Sequence, residues 1–407
     1  GTFFDGNVAL RSTYVSDQVR FAPYDSPRFV EQLLELASTR STPMVLMSDD
    51  DRAILAVSRN RSLLAPHYRF ELPDARLVDR VYNKSAFIGL CRENGLPAPA
   101  GMAVDGPEDL ERAVREMPFP LVVKPPYKEY WWRSDFEREV GPYKKALLAE
   151  TPAELRALYS NVARIHPSVL LQEYVPGGDD AHYSVNLLMG ADGEPAGLFM
   201  ARKHRVHPVG AGVGCLIQIL PAHDKLEAAT RDVCRRLELR GLVNIQFKQH
   251  AQTGEFKLIE IQFRNSTWGY IGTAAGRNLP ALYYAGLTGA LEPPMAGTLP
   301  PLKLIDPGKD VKASLRHIRD GRLTPADWIR SYSGPKIFHG MLAADPVPAL
   351  LSVWNLAARR AKGGAYGQAA APGSAPGSAP ASAPAPAGMA ASARSREAAS
   401  RRNGSPS

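Results

Sequence analysis

Cysteine is nearly missing from this 407-residue sequence: Cys91, Cys215 and Cys234 are the whole complement. Three thiols so scattered build neither a disulfide framework nor a zinc site, and a reducing cytoplasm is the default compartment. Long apolar runs are missing too. No segment approaches the roughly 20 apolar residues that span a bilayer, and the first 25 residues, which carry Arg11, Asp17 and Arg20, hold no apolar run that would serve export. No repeat at solenoid periods is visible. Neither is a Ser-His-Asp or Cys-His arrangement, which argues against covalent nucleophilic catalysis and leaves the cysteines as core or loop residues. Acid is scarce at the end of the chain: from Arg359 onward seven basic residues face Glu397 alone, a net +6 out of +8, so residues 1–358 carry only +2. The basic excess is therefore a property of the tail. No nucleic-acid motif accompanies it, and no nucleic-acid partner is expected.

What is present, 44% hydrophobic and 22% charged residues over this length, suits two or three packed layers or domains. From about Gly363 the chain is rich in Ala, Pro and Ser, a composition that cannot bury enough apolar surface to offset chain entropy, so 363–407 is expected to be a disordered, partly extended tail. The stretch 346–363 reads as a short helix with Leu350, Leu351, Val353, Trp354 and Leu356 apolar, packed on the body; peripheral contact with an acidic membrane surface is the alternative. The other 360 or so residues alternate strand and helix signals, an α/β (α+β) pattern. Helices are predicted at 26–38, with Ser26 as cap and Pro27 first, and at 74–95, closing on Gly95. Strands are predicted at 43–48, 119–124, 168–175, 184–190, 196–203, 242–249 and 256–263. The last two are joined by a short loop whose Gly254 suits a positive-φ turn position, which predicts a hairpin. Alternation then puts Glu260, Gln262 and Arg264 on one face and Ile259, Ile261 and Phe263 on the other, while Gln246 shares its face with Asn244 and Lys248. A polar front and an apolar back are what a sheet lining a ligand cleft requires.

Five segments stand in order along the chain: NKSAFIGLCRENGLPAP (83–99), FPLVVKPPY (119–127), VLLQEYVPGGDDAHYSV (169–185), ARKHRVHPVGAGVGC (201–215) and GLVNIQFKQHAQTGEFKLIEIQFRNSTWG (241–269). Together they resemble the ATP-grasp superfamily of ligases, within it the predicted carboxylate-amine ligase group, with D-aspartate ligases and the carbamoyl phosphate synthetase large subunit as more distant relatives by motif. The resemblance covers roughly residues 8 to 350. It implies an ATP-grasp fold over 101–290, behind a Rossmann-like leading domain at 1–100 that lacks its first strand because the N-terminus is incomplete, and followed by a C-terminal extension at 291–362 with no role assigned.

The resemblance also implies roles. Lys84 and Lys124 would meet ATP phosphates, with Lys144 or Lys145 adding charge from a covering loop that carries only Gly141; Trp131 and Trp132 read as local packing. Glu173 and the Val175 backbone would face adenine, and Asp180 the ribose, Asp179 being no more than part of a turn. Among Arg202, Lys203, His204, Arg205 and His207, Arg205 is the candidate for a substrate carboxylate or acyl-phosphate. Gln246, Glu260 and Gln262 would bind Mg²⁺, or Mn²⁺, with Arg264 balancing phosphate charge. Two departures stand out: Gln262 occupies a family Asn position, and Gln246 one where many members have Glu. Asn265 is the alternate ligand if the strand is bulged by one residue. The activity implied is ATP-dependent ligation of a small-molecule carboxylate to an amine, by a chain that could form a homodimer; the alternative is a nucleotide-binding module without turnover.

Overall fold

The computed structural model describes residues 8–131, 136, 138, 140, 145–210, 212–292, 295, 297–341, 345–351 and 354. The first long helix, α1 (Pro27–Ser38), starts as its sequence requires: the Ser26 side chain accepts from the Arg28 amide, and Pro27 fills the first position, where no backbone donor is needed. Strand β1 (Met44–Val45), helices α2 (Asp51–Arg59) and α3 (Arg61–Leu64), and strand β2 (Tyr68–Arg69) follow. β1 and β2 pair in parallel. They bury Tyr68 with Phe29, Leu33, Val57 and Leu64. Only Met44 and Val45 of the predicted 43–48 strand are paired.

The predicted helix 74–95 is two helices, α4 (Ala75–Tyr82) and α5 (Lys84–Glu93). Asn83 causes the break. Its backbone is extended, with φ −88° and ψ 109°, and its side chain caps α5 by accepting from the Ala86 amide. The Lys84 amide donates to the Pro126 carbonyl at 3.1 Å, outside either helix.

Next come β3 (Gly101–Val104), α6 (Pro107–Glu116), β4 (Leu121–Lys124), β5 (Leu147–Ala149), α7 (Pro152–Val162) and β6 (Val169–Glu173). The strands form an antiparallel sheet in the order β3-β6-β4-β5. Its core includes Leu110, Leu121, Leu155, Leu171 and Trp131, whose ring stacks on Phe136 at 5.0 Å. Trp131 is thus local packing, as expected; Trp132 and Lys144 lie outside the described residues.

The remainder comprises β7 (His182–Met189), β8 (Pro195–His207), β9 (Val213–Leu220), α8 (Asp224–Arg236), β10 (Gly241–Gln249), β11 (Phe256–Gln262), α9 (Tyr270–Ala274), α10 (Leu279–Thr288), β12 (Lys303–Ile305), α11 (Pro307–Arg319), α12 (Pro325–Ser331) and β13 (Lys336–Phe338). Seven strands form one sheet, β11-β10-β7-β8-β9-β12-β13. The β10–β11 hairpin turns at Gly254, with φ +71°. The basic run 202–207, placed in sequence before a glycine-rich loop, is the end of β8 itself.

One face of this sheet, carrying Val185, Leu187, Val243, Ile245, Phe247 and Ile261, packs on residues of α4, α5 and α8. On the other face Phe199, Ala201, Ile217 and Ile219 are covered by Trp268, Ile271, Leu279 and Leu282. That cover stops short of the end of the sheet where β7, β8, β10 and β11 present His182, Lys203, Gln246, Lys248 and Glu260. All described residues lie in one compact unit, 1–368; a second unit, 369–407, and the predicted tail 363–407 fall outside the described residues. Helical backbone continues at 347–351 and 354. Among the described residues no helix is long and apolar enough to cross a membrane.

Candidate functional site

Register builds the site. Gln246 lies opposite Glu260 on one side and Ser184 on the other. Phe247 then pairs with Leu258, which leaves Ile259 as an extra residue in β11. This bulge breaks the simple alternation expected over 256–263: Leu258 joins Ile261 and Phe263 in the core, and Ile259 is not their partner on that face. The bulge is what allows Leu258 to be buried while Glu260 faces the cleft.

A chain of polar contacts crosses the exposed strip. Lys203 Nζ donates to Gln246 Oε1 at 2.8 Å, and Gln246 Nε2 donates to Glu260 Oε2 at 3.1 Å. Gln262 pairs in register with Asn244. On the four-stranded sheet, Lys124 Nζ donates to Gln172 Oε1 at 2.6 Å. Lys84, at the first position of α5, lines a cleft with Asp51, Tyr82, Tyr127 and Glu260.

The charges repel one another. Burial first, then Lys84 and Lys248, pull the Lys124 ammonium down to about 8 against the attraction of Glu260. Lys203 is likewise pulled to about 8, by burial and then by Lys145, with Glu260 and Asp179 opposing. Burial also lowers Lys248. His182 falls to about 3, through burial and then Lys203 and Lys248, and is neutral. Lys124, Lys203 and Lys248, gathered about one carboxylate and each made less willing to hold its proton, are an arrangement that suits a polyanion.

Arg264 is nearly buried and lies 2.5 Å from Asp51 of α2. Burial works against its charge, but Asp51 more than offsets this and raises its pKa. Its Nη1 donates to the Asn265 carbonyl at 3.1 Å. The Asn265 side chain packs against Gly269, where a Cβ would come within 2.1 Å of its Oδ1.

Arg205 belongs elsewhere. It is buried and forks onto Asp310 at 2.7 and 2.9 Å, with Ser331 Oγ at 3.0 Å. Irregular pairing at His204 and Cys215 steps the register between Lys203, opposite Ile217, and Arg205, opposite Leu216. Lys203 keeps the cleft, whereas Arg205, the candidate for a substrate carboxylate or acyl-phosphate, is turned onto Asp310 of α11.

Glu173 Oε2 accepts from the Ala100 amide at 3.1 Å, and Val175 is buried beside it. Asp180 is exposed; its Oδ2 accepts from Arg202 Nη2 at 2.9 Å and its carbonyl from Arg202 Nε at 2.6 Å. Asp179 is more than a turn residue. It is buried and accepts from the Gly210 and Val206 amides at 3.0 and 3.4 Å, with His317 Nε2 at 3.1 Å. Lys145 is exposed yet near enough to act on Lys203.

The structure therefore brings together Lys84, Lys124, Gln246 and Glu260, and adds Lys203, Lys248 and His182. Lys248 was marked by alternation with Gln246; Lys203 stood in the basic run without a signal to favour it over Arg205. Nothing local marked Asp51 as the partner of Arg264. Among the described residues no three His, Cys, Asp or Glu side chains gather to hold a metal by themselves. Glu260 with the amide oxygens of Gln246 and Gln262 still suits Mg²⁺, a hard cation that takes few protein oxygens when phosphate supplies the others.

Residues 166–302 match the family described as ATP-grasp in the biosynthetic pathway with Ter operon. D-aspartate ligase of Enterococcus faecium is 25% identical over 265 residues, 62% of each chain. The carbamoyl phosphate synthase large chain of Thermus thermophilus is 30% identical over 177 residues, 42% of this chain and 16% of that one. The chain thus spans less than two thirds of either relative. Among solved structures, an N5-carboxyaminoimidazole ribonucleotide synthetase in complex with ADP aligns with TM-score 0.59 and 18% identity, covering 78% of this chain and 77% of that one. The Thermus thermophilus synthetase of that name aligns with TM-score 0.54 and 18% identity, over 74% of both. The fold is ATP-grasp. The family match lies on residues 166–302, and the curated relatives are named as a ligase and a synthase.

Proposed function

We propose that the protein is an ATP- and Mg²⁺-dependent carboxylate-amine ligase. The observation that carries this reading is the convergence of Lys84, Lys124, Lys203 and Lys248 on the strip that holds Glu260. In this reading the lysines hold the triphosphate, Lys145 adds charge from the covering side, Glu173 and the Val175 backbone read adenine, and Asp180 reads the ribose. Glu260, Gln246 and Gln262 would hold Mg²⁺, which supplies charge neutralisation between phosphate oxygens when bound. Arg264, held by Asp51, faces the developing charge. A carboxylate oxygen attacks the γ-phosphorus and ADP leaves; the amine nitrogen then attacks the acyl carbon, phosphate leaves, and the amine gives up a proton. Neither step needs a covalent bond to the protein, so positioning and charge account for the catalysis. Names of relatives agree with this class: a D-aspartate ligase and carbamoyl phosphate synthases are among them.

The test is release of ADP and phosphate over a panel of acids and amines. Wild type should turn over with at least one pair, and Lys124→Ala should lose roughly a hundredfold or more in kcat/KM, as when one preorganised charge contact is removed. Equal behaviour of the two, with no ATP binding by either, overturns the proposal. Tight Mg-ATP binding without turnover on any pair favours the second reading, a nucleotide-binding module, which the carboxylate-poor set Gln246, Glu260 and Gln262 would suit.

A further inference from the structure

Among the described residues, the C-terminal extension adds no side chain to the cleft lined by Lys84 and Glu260, yet it reaches the two backbone segments that border it. Helix α11 carries Asp310, Ser314 and His317 at spacings of four and three, which stacks them along one side. All three are buried. Asp310 receives Arg205 through two hydrogen bonds, and also Trp328 Nε1 at 3.3 Å, Ser314 Oγ at 3.4 Å and the Tyr332 hydroxyl. One turn on, His317 Nε2 lies 3.1 Å from Asp179 Oδ2, a contact that places its hydrogen on Nε2. Asp179 gathers the Gly210 and Val206 amides as well. The helix thus pins the turn between β6 and β7 and the end of β8 to a single surface.

The turn is also held from its own sides: the Ala251 amide donates to the Pro176 carbonyl at 3.0 Å, the Ala181 amide to the Gly178 carbonyl at 3.2 Å, and His182 Nδ1 lies 3.1 Å from the Asp179 carbonyl. Gly177, at φ +140°, and Gly178 precede Asp179, and a Cβ on Gly177 would come within 2.7 Å of the Ala181 Cβ. Glycines supply the shape without stiffness. Asp180 follows directly, exposed, and is gripped from the solvent side by Arg202. From the inside, the grip comes through its neighbour Asp179 and hence through His317.

We propose that His317, acting through Asp179, is a positioning residue that sets Asp180 for recognition of the nucleotide ribose. The proposal rests on Asp180 as the ribose acceptor in the ligase reading. Loss of the imidazole leaves the buried Asp179 Oδ2 with only the long 3.4 Å contact from the Val206 amide, and the hold on the turn that presents Asp180 is weakened from its inner side.

The experiment is calorimetric binding of ATP and of 2′,3′-dideoxy-ATP to the full chain. Wild type should prefer ATP by roughly tenfold or more, the worth of a hydrogen bond to a charged group. His317→Ala should lose most of that preference while binding dideoxy-ATP as wild type does, and His317→Gln, which keeps a donor, should regain part of it. A His317→Ala protein with the wild-type ratio, or with both nucleotides weakened equally, overturns the proposal. If His317→Ala does not fold, Asp179→Asn must show the same loss of preference, and an unchanged ratio overturns it as well. A wild type that binds neither nucleotide overturns the nucleotide site and the proposal together. A wild type that binds both equally overturns the ribose role of Asp180, and with it the proposal, while leaving the phosphate site standing.

Discussion

Lys124 and Lys203 show what the proposed phosphate site costs before phosphate arrives. Both lie at about 8 in the folded protein, below the roughly 10.4 of an unfolded lysine. Folding is therefore penalised in full below pH 8, and the penalty fades as pH rises toward the unfolded value. Lys124→Met should accordingly raise the melting temperature of the nucleotide-free protein near pH 7 while weakening ATP binding, which differential scanning fluorimetry with and without Mg-ATP would show. The same shifts fix the pH dependence of binding. A triphosphate needs these lysines charged, so ATP affinity should hold steady up to about pH 7.5 and fall as pH climbs past about 8, with a limiting slope of roughly tenfold per unit for each lysine that must be charged. An affinity flat to pH 9.5 would refute this assignment. Sequence identified Lys124 from the strand that ends on it. It did not single out Lys203, because a run of bases gives no sign of which member a register step turns toward the cleft.

Elements carry the next level of explanation. The segment around Asp51 begins α2, and its carboxylate meets Arg264, 213 residues away, at the end of β11. Asp51→Ala leaves the Arg264 guanidinium nearly buried without its acid and should cost about 3 kcal/mol or more, measured by urea unfolding; Asp51→Asn should cost less. The hairpin β10–β11, its turn at Gly254 and the polar face of β10 were all legible in the sequence, because a period of two and a turn glycine are local properties. The bulge at Ile259 was not. Ile259 has the same local character as Ile261, and only the pairing with Phe247 and Gln246 shows that one residue is extra. The break between α4 and α5 was hidden for a related reason: Asn83 is tolerable within a helix, and its capping contact becomes decisive only when the Lys84 amide finds the Pro126 carbonyl.

For the whole molecule, the charge balance divides the chain into two parts. The body up to residue 358 is nearly neutral and keeps its working cations at single positions, while most of the excess lies beyond it. A chain ending at residue 368 should bind ATP as the full chain does and elute earlier from a cation exchanger. Reduced ATP affinity in that truncation would assign the tail a part in the site. The α/β class and the order of the motifs were readable over most of the chain, but the role of the C-terminal extension was not, because Asp310 and His317 act on strand and turn residues more than a hundred positions away.

The contact between the Lys84 amide and the Pro126 carbonyl has a mechanical consequence. It ties the start of α5 to the chain leaving β4, two residues after Lys124. The two lysines proposed to meet phosphate thus sit on either side of a single main-chain tether. A slide of the chain leaving β4 away from α5 would have to break this bond. The spacing of the two lysines is thereby set by main chain rather than by their own flexible side chains.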